Sequence, residues 1–369
     1  MLFFAEKRYF QGSKSNIDYE FRKVKNMENT LLIIDGSSML STSYYATLPP
    51  ALRFGKLTDE QIEEQYKYLL QTSDGVYTNG VYTMFKTFMK VIKATAPTHL
   101  IITWDLTRKT FRRELFKDYK ATRKPTPSPL KQQFKTAQDL FKKIGVCELA
   151  DQDFEADDLA GSVAKQFSNE FDNIYIITKD QDYLQLVDDN ITVMLGVNEE
   201  KYQEYEKMVK DFLNYSDISE ATPKGYFPFT PDTLMDVYGL TPKQIVDWKA
   251  IAGDSSDNIP GIKGIGSDTA VTLLQEFGSL KKLQEYALSD VSDKEFTERC
   301  KAAGVKRSPR KALLNDINGD HLGRLSYQLA KIKTDLKLDI NEADLHWVID
   351  KEIMKAGCER LEINIDILL

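Results

Sequence analysis

The 369-residue chain has only three histidines and three cysteines. Cys147, Cys300 and Cys358 are isolated and show neither metal-ligand nor disulfide spacing. His99, His321 and His346 lie mostly far from the acidic motifs and make a poor general-base set; structural roles are expected for them. No stretch approaches the ~18 apolar residues of a membrane span. The start, MLFFAEKRYF, is broken by Glu6, Lys7 and Arg8, so no signal-peptide core forms. No internal repeat or low-complexity tract is present. These absences argue against a zinc or disulfide scaffold and against a membrane partner, and the expected compartment is reducing cytoplasm. Basic excess is missing too, since the net charge is −7. The distribution of charge matters more than its sum.

What the chain does have is nine carboxylates placed where strands or helices end. Asp35 closes LLIIDGSS and Asp105 closes HLIITWD. Glu155, Asp157 and Asp158 lie in FEADD, Asp180 and Asp182 in IYIITKDQD, and Asp254 and Asp257 in GDSSDN. Three of these segments are an apolar, β-branched run of strand length followed by Asp. Taken singly, each such Asp is an ordinary turn residue or helix cap, and EADD is an ordinary acidic helix start. Together they are carboxylates that parallel strands can bring to one crevice. So many anions share a site only when cations neutralise them. Oxygen ligands with almost no His or Cys suit Mg²⁺ or Mn²⁺. Two such ions ~3.5–4 Å apart can clamp a phosphodiester without a protein nucleophile.

Strand–helix alternation predicts an α/β fold with a doubly wound, mostly parallel sheet. The expected strands are 31–35, 100–104, 174–178 and 191–195. Helices are expected over 79–94, with Val81, Met84, Phe85, Phe88, Val91 and Ile92 as a core stripe, and over 130–144 and 155–167. Residues 1–29 read as a loose extension, 30–229 as an α/β domain containing an insertion at 199–225, and 230–369 as a helical region.

Two further segments stand out. Residues 108–124, RKTFRRELFKDYKATRK, carry eight Lys or Arg against Glu114 and Asp118. Phe111, Phe116 and Tyr119 interleave with them, as on a surface that meets phosphates and bases. Residues 249–272, KAIAGDSSDNIPGIKGIGSDTAVT, set Gly253, Gly261, Gly264 and Gly266 between two helices. Closely spaced glycines let backbone N–H groups approach a phosphate, and Ser267 or Asp268 is expected to cap the second helix.

On these motifs, and on the ending LAKIKTDLKLDI…CERLEINIDILL, the chain resembles a bacterial 5′→3′ nuclease of the flap-endonuclease superfamily. It is most similar to the 5′-nuclease domain of DNA polymerase I, in its standalone form. The resemblance implies a PIN/flap-nuclease-like sheet with a helix–three-turn–helix DNA-binding motif. It implies one metal site at Asp35, Asp105, Glu155, Asp157 and Asp158 and a second at Asp180, Asp182, Asp254 and Asp257. The segment 106–130 would be a helical arch for a 5′ single strand, with Arg112, Lys120 and Arg123 on its phosphates. Asp35, Asp105, Lys120 and Arg112 would be the catalytic set. Gly261, Lys263, Gly264 and Gly266 would meet duplex, and a K⁺ would sit at that loop. The implied function is metal-dependent, structure-selective cleavage of DNA 5′ flaps, nicks or RNA primers by a monomer. Where the family has an aromatic followed by Arg, this chain has Ser41 and Thr42; Tyr44 and Tyr45, one turn on, could substitute. Two other readings are a non-catalytic binder of branched DNA and a PIN-type RNase. Intact acidic motifs speak against the first, and the Gly-rich helix pair against the second.

Overall fold

A computed structural model describes residues 29–364; most of the expected N-terminal extension lies outside the described residues. The sheet has six strands: β1 (Thr30–Asp35), β2 (His99–Asp105), β3 (Cys147–Asp151), β4 (Asn173–Thr178), β5 (Ile191–Gly196) and β6 (Tyr226–Phe229). Their order is β3-β2-β1-β4-β5-β6. The first five run parallel and β6 pairs antiparallel with β5. The expected doubly wound sheet is present. β3 and β6 were not among the expected strands. Chain order reverses between β2-β1 and β4, which opens a crevice at the carboxyl ends of β1 and β4.

Eight helices position the site: α1 (Gly36–Ala46), α2 (Asn79–Thr95), α3 (Phe111–Leu115), α4 (Ser128–Lys143), α5 (Ala156–Gln166), α6 (Pro242–Ala252), α7 (Ser267–Phe277) and α8 (Leu322–Ala330). Every residue of β1 is buried, as a central parallel strand requires. Its side chains alternate between two cores. Leu32 and Ile34 face α1, α2 and α4, where Leu40, Phe85, Phe88 and Phe141 pack. Phe88 meets Phe141 and Trp347 edge to face. Leu31 and Ile33 share their core with Ala160 and Val163 of α5. Ile245 of α6 and Ala270, Leu273 and Leu274 of α7 belong to that same core. The helical region is therefore built onto the sheet.

Two expectations need correction. The basic segment is not a long helical arch: after the five residues of α3 it runs in turns. It lies on the GDSSDN turn, where Lys120 N donates to Asp257 O and Asn258 Nδ2 donates to Asp118 O. The helical region is interrupted at 331–341 by a strap without regular secondary structure. Residues 199–225, expected as an inserted loop or helix, contain helices at Glu199–Glu206 and Phe212–Glu220 against β6. Tyr205 packs on Phe227, Phe229 and Tyr238, and its hydroxyl is 2.8 Å from that of Tyr238. No helix among the described residues is long and apolar enough to cross a membrane.

Because Tyr205 anchors the insertion to the sheet edge, Tyr205→Ala should cost about 3 kcal/mol or more of stability. Urea denaturation measures this. A loss below about 1 kcal/mol would show the insertion to be an appendage.

Candidate active site

Asp35, at the end of β1, caps α1. Its Oδ1 accepts from Ser38 N and its Oδ2 from Thr178 Oγ1, both at 2.9 Å. Asp105 ends β2 and accepts from Ala156 N at 2.9 Å, at the start of α5. That turn also carries Glu155, Asp157 and Asp158. Asp180 follows β4 and accepts from Asp182 N at 2.9 Å. Asp254 and Ile259 exchange backbone hydrogen bonds, which closes the turn that carries Asp254 and Asp257. The crevice thus gathers the carboxylates from separate elements. The histidines stay out of it: His99 starts β2, at the strand end opposite Asp105, and packs on His346 and Phe171.

Four cationic side chains enter among the carboxylates. Arg112, only 1% exposed, donates to both oxygens of Asp158 at 2.6 and 2.8 Å. Lys120 donates to Glu155 at 2.6 Å and lies 3.6 Å from Asp257. Arg123 pairs with Asp257. Lys249 bridges Asp182 and Asp254. Glu155, Asp158, Asp182, Asp254 and Asp257 are thereby tied to cations. Asp35, Asp105, Asp157 and Asp180 accept no hydrogen bond from a cationic side chain among the described residues; Arg112 comes only to 3.8 Å from Asp157.

Proton affinities divide along the same line. Burial, then the Asp105 charge, pushes Asp35 up to about 7. Burial also raises Asp105, Asp157 and Asp180 above the ordinary carboxylate range. Asp157 is raised furthest, with burial again the largest cause. Against the burial that would raise them, Lys120 and Arg112 hold Glu155 low, and Lys249 brings Asp254 to about 2.

Several expected roles change. Arg112 cannot reach a phosphate as placed; besides Asp158 it donates to Leu329 O and Lys331 O. Asp158 has no oxygen left for a metal: two Arg112 nitrogens, Glu155 N and Lys333 N use both its oxygens. Tyr119 is buried, with its hydroxyl 3.3 Å from Glu155 Oε2, and offers no stacking face. Gly261 is a packing glycine: a Cβ there would lie 2.4 Å from Gly253 N. Gly264 and Gly266 face open space, and neither Ser267 nor Asp268 caps α7, whose cap position is Gly266. Lys263 is exposed and pairs with Asp320 at 2.9 Å. Tyr44 is in the core, so only Tyr45, 49% exposed, lines the cleft of about 750 Å³ beside Ser41 and Thr42. Sequence reasoning missed Lys249, whose helical setting resembles a core-facing amphipathic position. It also missed Lys179, which follows β4 and has the proton affinity of its amine lowered by partial desolvation.

Among the described residues no three His, Cys, Asp or Glu side chains stand in ready metal-ligand geometry. The donor chemistry nonetheless fits a hard divalent cation. Nine carboxylates stand against four cations, so ionising all of them would leave five negative charges without a counter-charge. The hydroxyl of Tyr183 is buried without a hydrogen-bond partner among the described residues, within electrostatic reach of Asp35, Asp157, Asp105 and Asp180. A buried donor in such surroundings calls for an oxygen that side chains do not supply.

Comparison with known proteins agrees with this architecture. Residues 30–213 match the family described as 5′-3′ exonuclease, N-terminal resolvase-like domain, and residues 240–352 match 5′-3′ exonuclease, C-terminal SAM fold. The chain is 33% identical to a 5′-3′ exonuclease of Bacillus subtilis over 257 residues, 70% of this chain and 73% of that one. It is 31% identical to DNA polymerase I of Mycobacterium bovis over 311 residues, 80% of this chain but only 30% of that protein. Its fold is similar to the catalytic core of Rad2 solved in complex with a DNA substrate, with a TM-score of 0.52 at 15% identity, covering 91% of this chain and 88% of that one.

If Arg112 is a buried counter-ion, Arg112→Met should destabilise the protein by about 3–5 kcal/mol, because Asp158 is left uncompensated. A phosphate-contacting Arg112 would instead lose DNA affinity at unchanged stability. Asp35 should leave a pH signature in chelator. Its folded-state value of about 7 exceeds the ordinary 3.8, so its contribution to stability is full near pH 4 and lost as pH rises to about 7. Asp35→Asn should therefore match wild type near pH 4 and melt higher than wild type near pH 7. Equal melting temperatures at both pH values would refute the burial of this charge.

Proposed function

The chain belongs to the 5′-3′ exonuclease family, and we propose that it is a divalent-metal-dependent nuclease acting at 5′ ends of branched DNA: flaps, nicks and RNA primers. The observation that carries this reading is the set of four carboxylates at the switch point of the sheet that accept no hydrogen bond from a cationic side chain among the described residues. Asp35, Asp105, Asp157 and Asp180 would hold the metal, two Mg²⁺ or Mn²⁺ ions, with Glu155, Asp182, Asp254 and Asp257 reachable once their cations move. Asp158 would orient Arg112 and the α5 turn. When bound, the metal supplies an activated water and offsets charge on the leaving oxygen.

The remaining work falls to the chain's own residues. Lys120 and Arg123 rest on Glu155 and Asp257. A bound phosphodiester competes for both cations, so substrate entry and the release of those carboxylates are coupled. The amides around Gly264 and Gly266 lead into the uncapped N-terminus of α7 and suit a duplex phosphate. A K⁺ at this Gly-rich turn, a monomeric state and a cytoplasmic setting belong to the same proposal. Tyr45 supplies the aromatic face that Ser41 and Thr42 lack.

Labelled flap, nicked and RNA-primed duplexes, assayed with Mg²⁺, Mn²⁺ or chelator, test the reading. Asp180→Ala should lose cleavage by several orders of magnitude and keep flap binding in chelator. Near-normal turnover by this variant would overturn the metal assignment. Binding without cleavage by the wild-type chain under every metal condition would support the non-catalytic alternative.

A further inference from the structure

We infer that Lys179 contacts a backbone phosphate beside the cleaved bond, on a shelf that Gly196 keeps clear; the inference rests on the nuclease reading. Lys179 follows β4 directly and precedes Asp180. Its amide donates to Ser38 Oγ at 3.3 Å, which fixes its backbone to the first turn of α1, next to Asp35. Its stem lies flat across Gly196, the last residue of β5. A Cβ at Gly196 would come within 2.6 Å of Lys179 Cγ and 2.9 Å of Cε. The side chain is therefore directed by packing, although the residue is exposed.

Charge economy separates Lys179 from the cations that sit among the carboxylates. Arg112, Lys120, Arg123 and Lys249 each hold a carboxylate. Recruiting any of them to a phosphate leaves an anion behind in a crevice already in anionic excess. Lys179 forms no ion pair among the described residues and can meet a phosphate without such a loss. An ammonium is a strongly hydrated point charge on a flexible stem. The glycine shelf restricts that stem, so less freedom is lost on contact.

The test uses the full chain and a labelled 5′-flap duplex. Binding is measured by anisotropy in chelator across a salt series, and cleavage kinetics are measured with Mg²⁺. Lys179→Ala should weaken binding several-fold, reduce the log–log salt slope by about 0.9, and raise KM more than it lowers kcat. Lys179→Arg should restore the slope. Gly196→Val, which pushes the stem off its shelf, should reproduce the alanine effect with the charge still present. One uncharged methylphosphonate linkage near the cleavage site should erase the difference between wild type and Lys179→Ala. Melting curves separate these effects from misfolding. A Lys179→Ala variant with wild-type slope and KM overturns the inference while wild-type cleavage still stands. A wild-type chain that neither binds nor cleaves the flap fails the nuclease reading itself.

Discussion

The pair between Arg112 and Asp158 ties together three parts of the chain that lie far apart in sequence. Its guanidinium enters from α3, its carboxylate belongs to the first turn of α5, and its remaining donors reach Leu329 O and Lys331 O at the end of α8. Asp158 then accepts from Lys333 N, which draws the 331–341 strap onto the same point. Three segments far apart in sequence converge on one ion pair. A buried pair of this kind adds little net stability over an apolar substitute, but breaking it is expensive. Its effect is to fix register: the base of the basic segment, the start of the acidic helix and the helical region can meet in only one arrangement.

That fixed frame sets the electrostatics of the crevice. Cations from the basic segment and from α6 occupy part of a carboxylate set that would repel itself apart if wholly unpaired. Asp257 collects Arg123, the approach of Lys120 and the turn that receives the Lys120 amide. The basic segment is thus held down by the same anions that a metal would otherwise neutralise. Lys120 adopts a left-handed backbone (φ 54°) in this arrangement, a conformation that costs a non-glycine residue free energy.

Much of the frame was legible in the sequence. The apolar runs before Asp35, Asp105 and Asp180 announced three strands, and period-3.6 spacing announced α2. β3 escaped because CELAD is a half-exposed edge strand with little apolar signal. β6 escaped because YFPF carries Pro228, which a strand accepts only where the lost donor does no harm, as at an edge. Within the site, sequence located the carboxylates but not their partners. Arg112 sits among eight basic residues, and nothing local distinguishes the one that points inward from those that point to solvent. Lys249 looked like one more helical lysine, yet it bridges Asp182 and Asp254. Pairing is a long-range property, set by which elements the sheet order brings side by side.

The division between paired and unpaired carboxylates has a further consequence. If a cation in the crevice displaces Lys120 or Arg123 from Glu155 or Asp257, it also frees the basic segment from the GDSSDN turn. Linkage makes this reciprocal: a phosphate that draws the same side chains away exposes carboxylate oxygens to a cation. Metal and nucleic acid would then favour each other's binding through exchange of partners among a fixed set of charges, beyond any direct contact between them. Arg112 stands outside that exchange, since Asp158 is saturated and buried. The site thus combines one immobile ion pair that holds its geometry with a second, more exposed set that can turn over during binding. The sequence spacing reflects this, for Arg112 lies inside the short helix α3, while Lys120 and Arg123 lie in the turns beyond it.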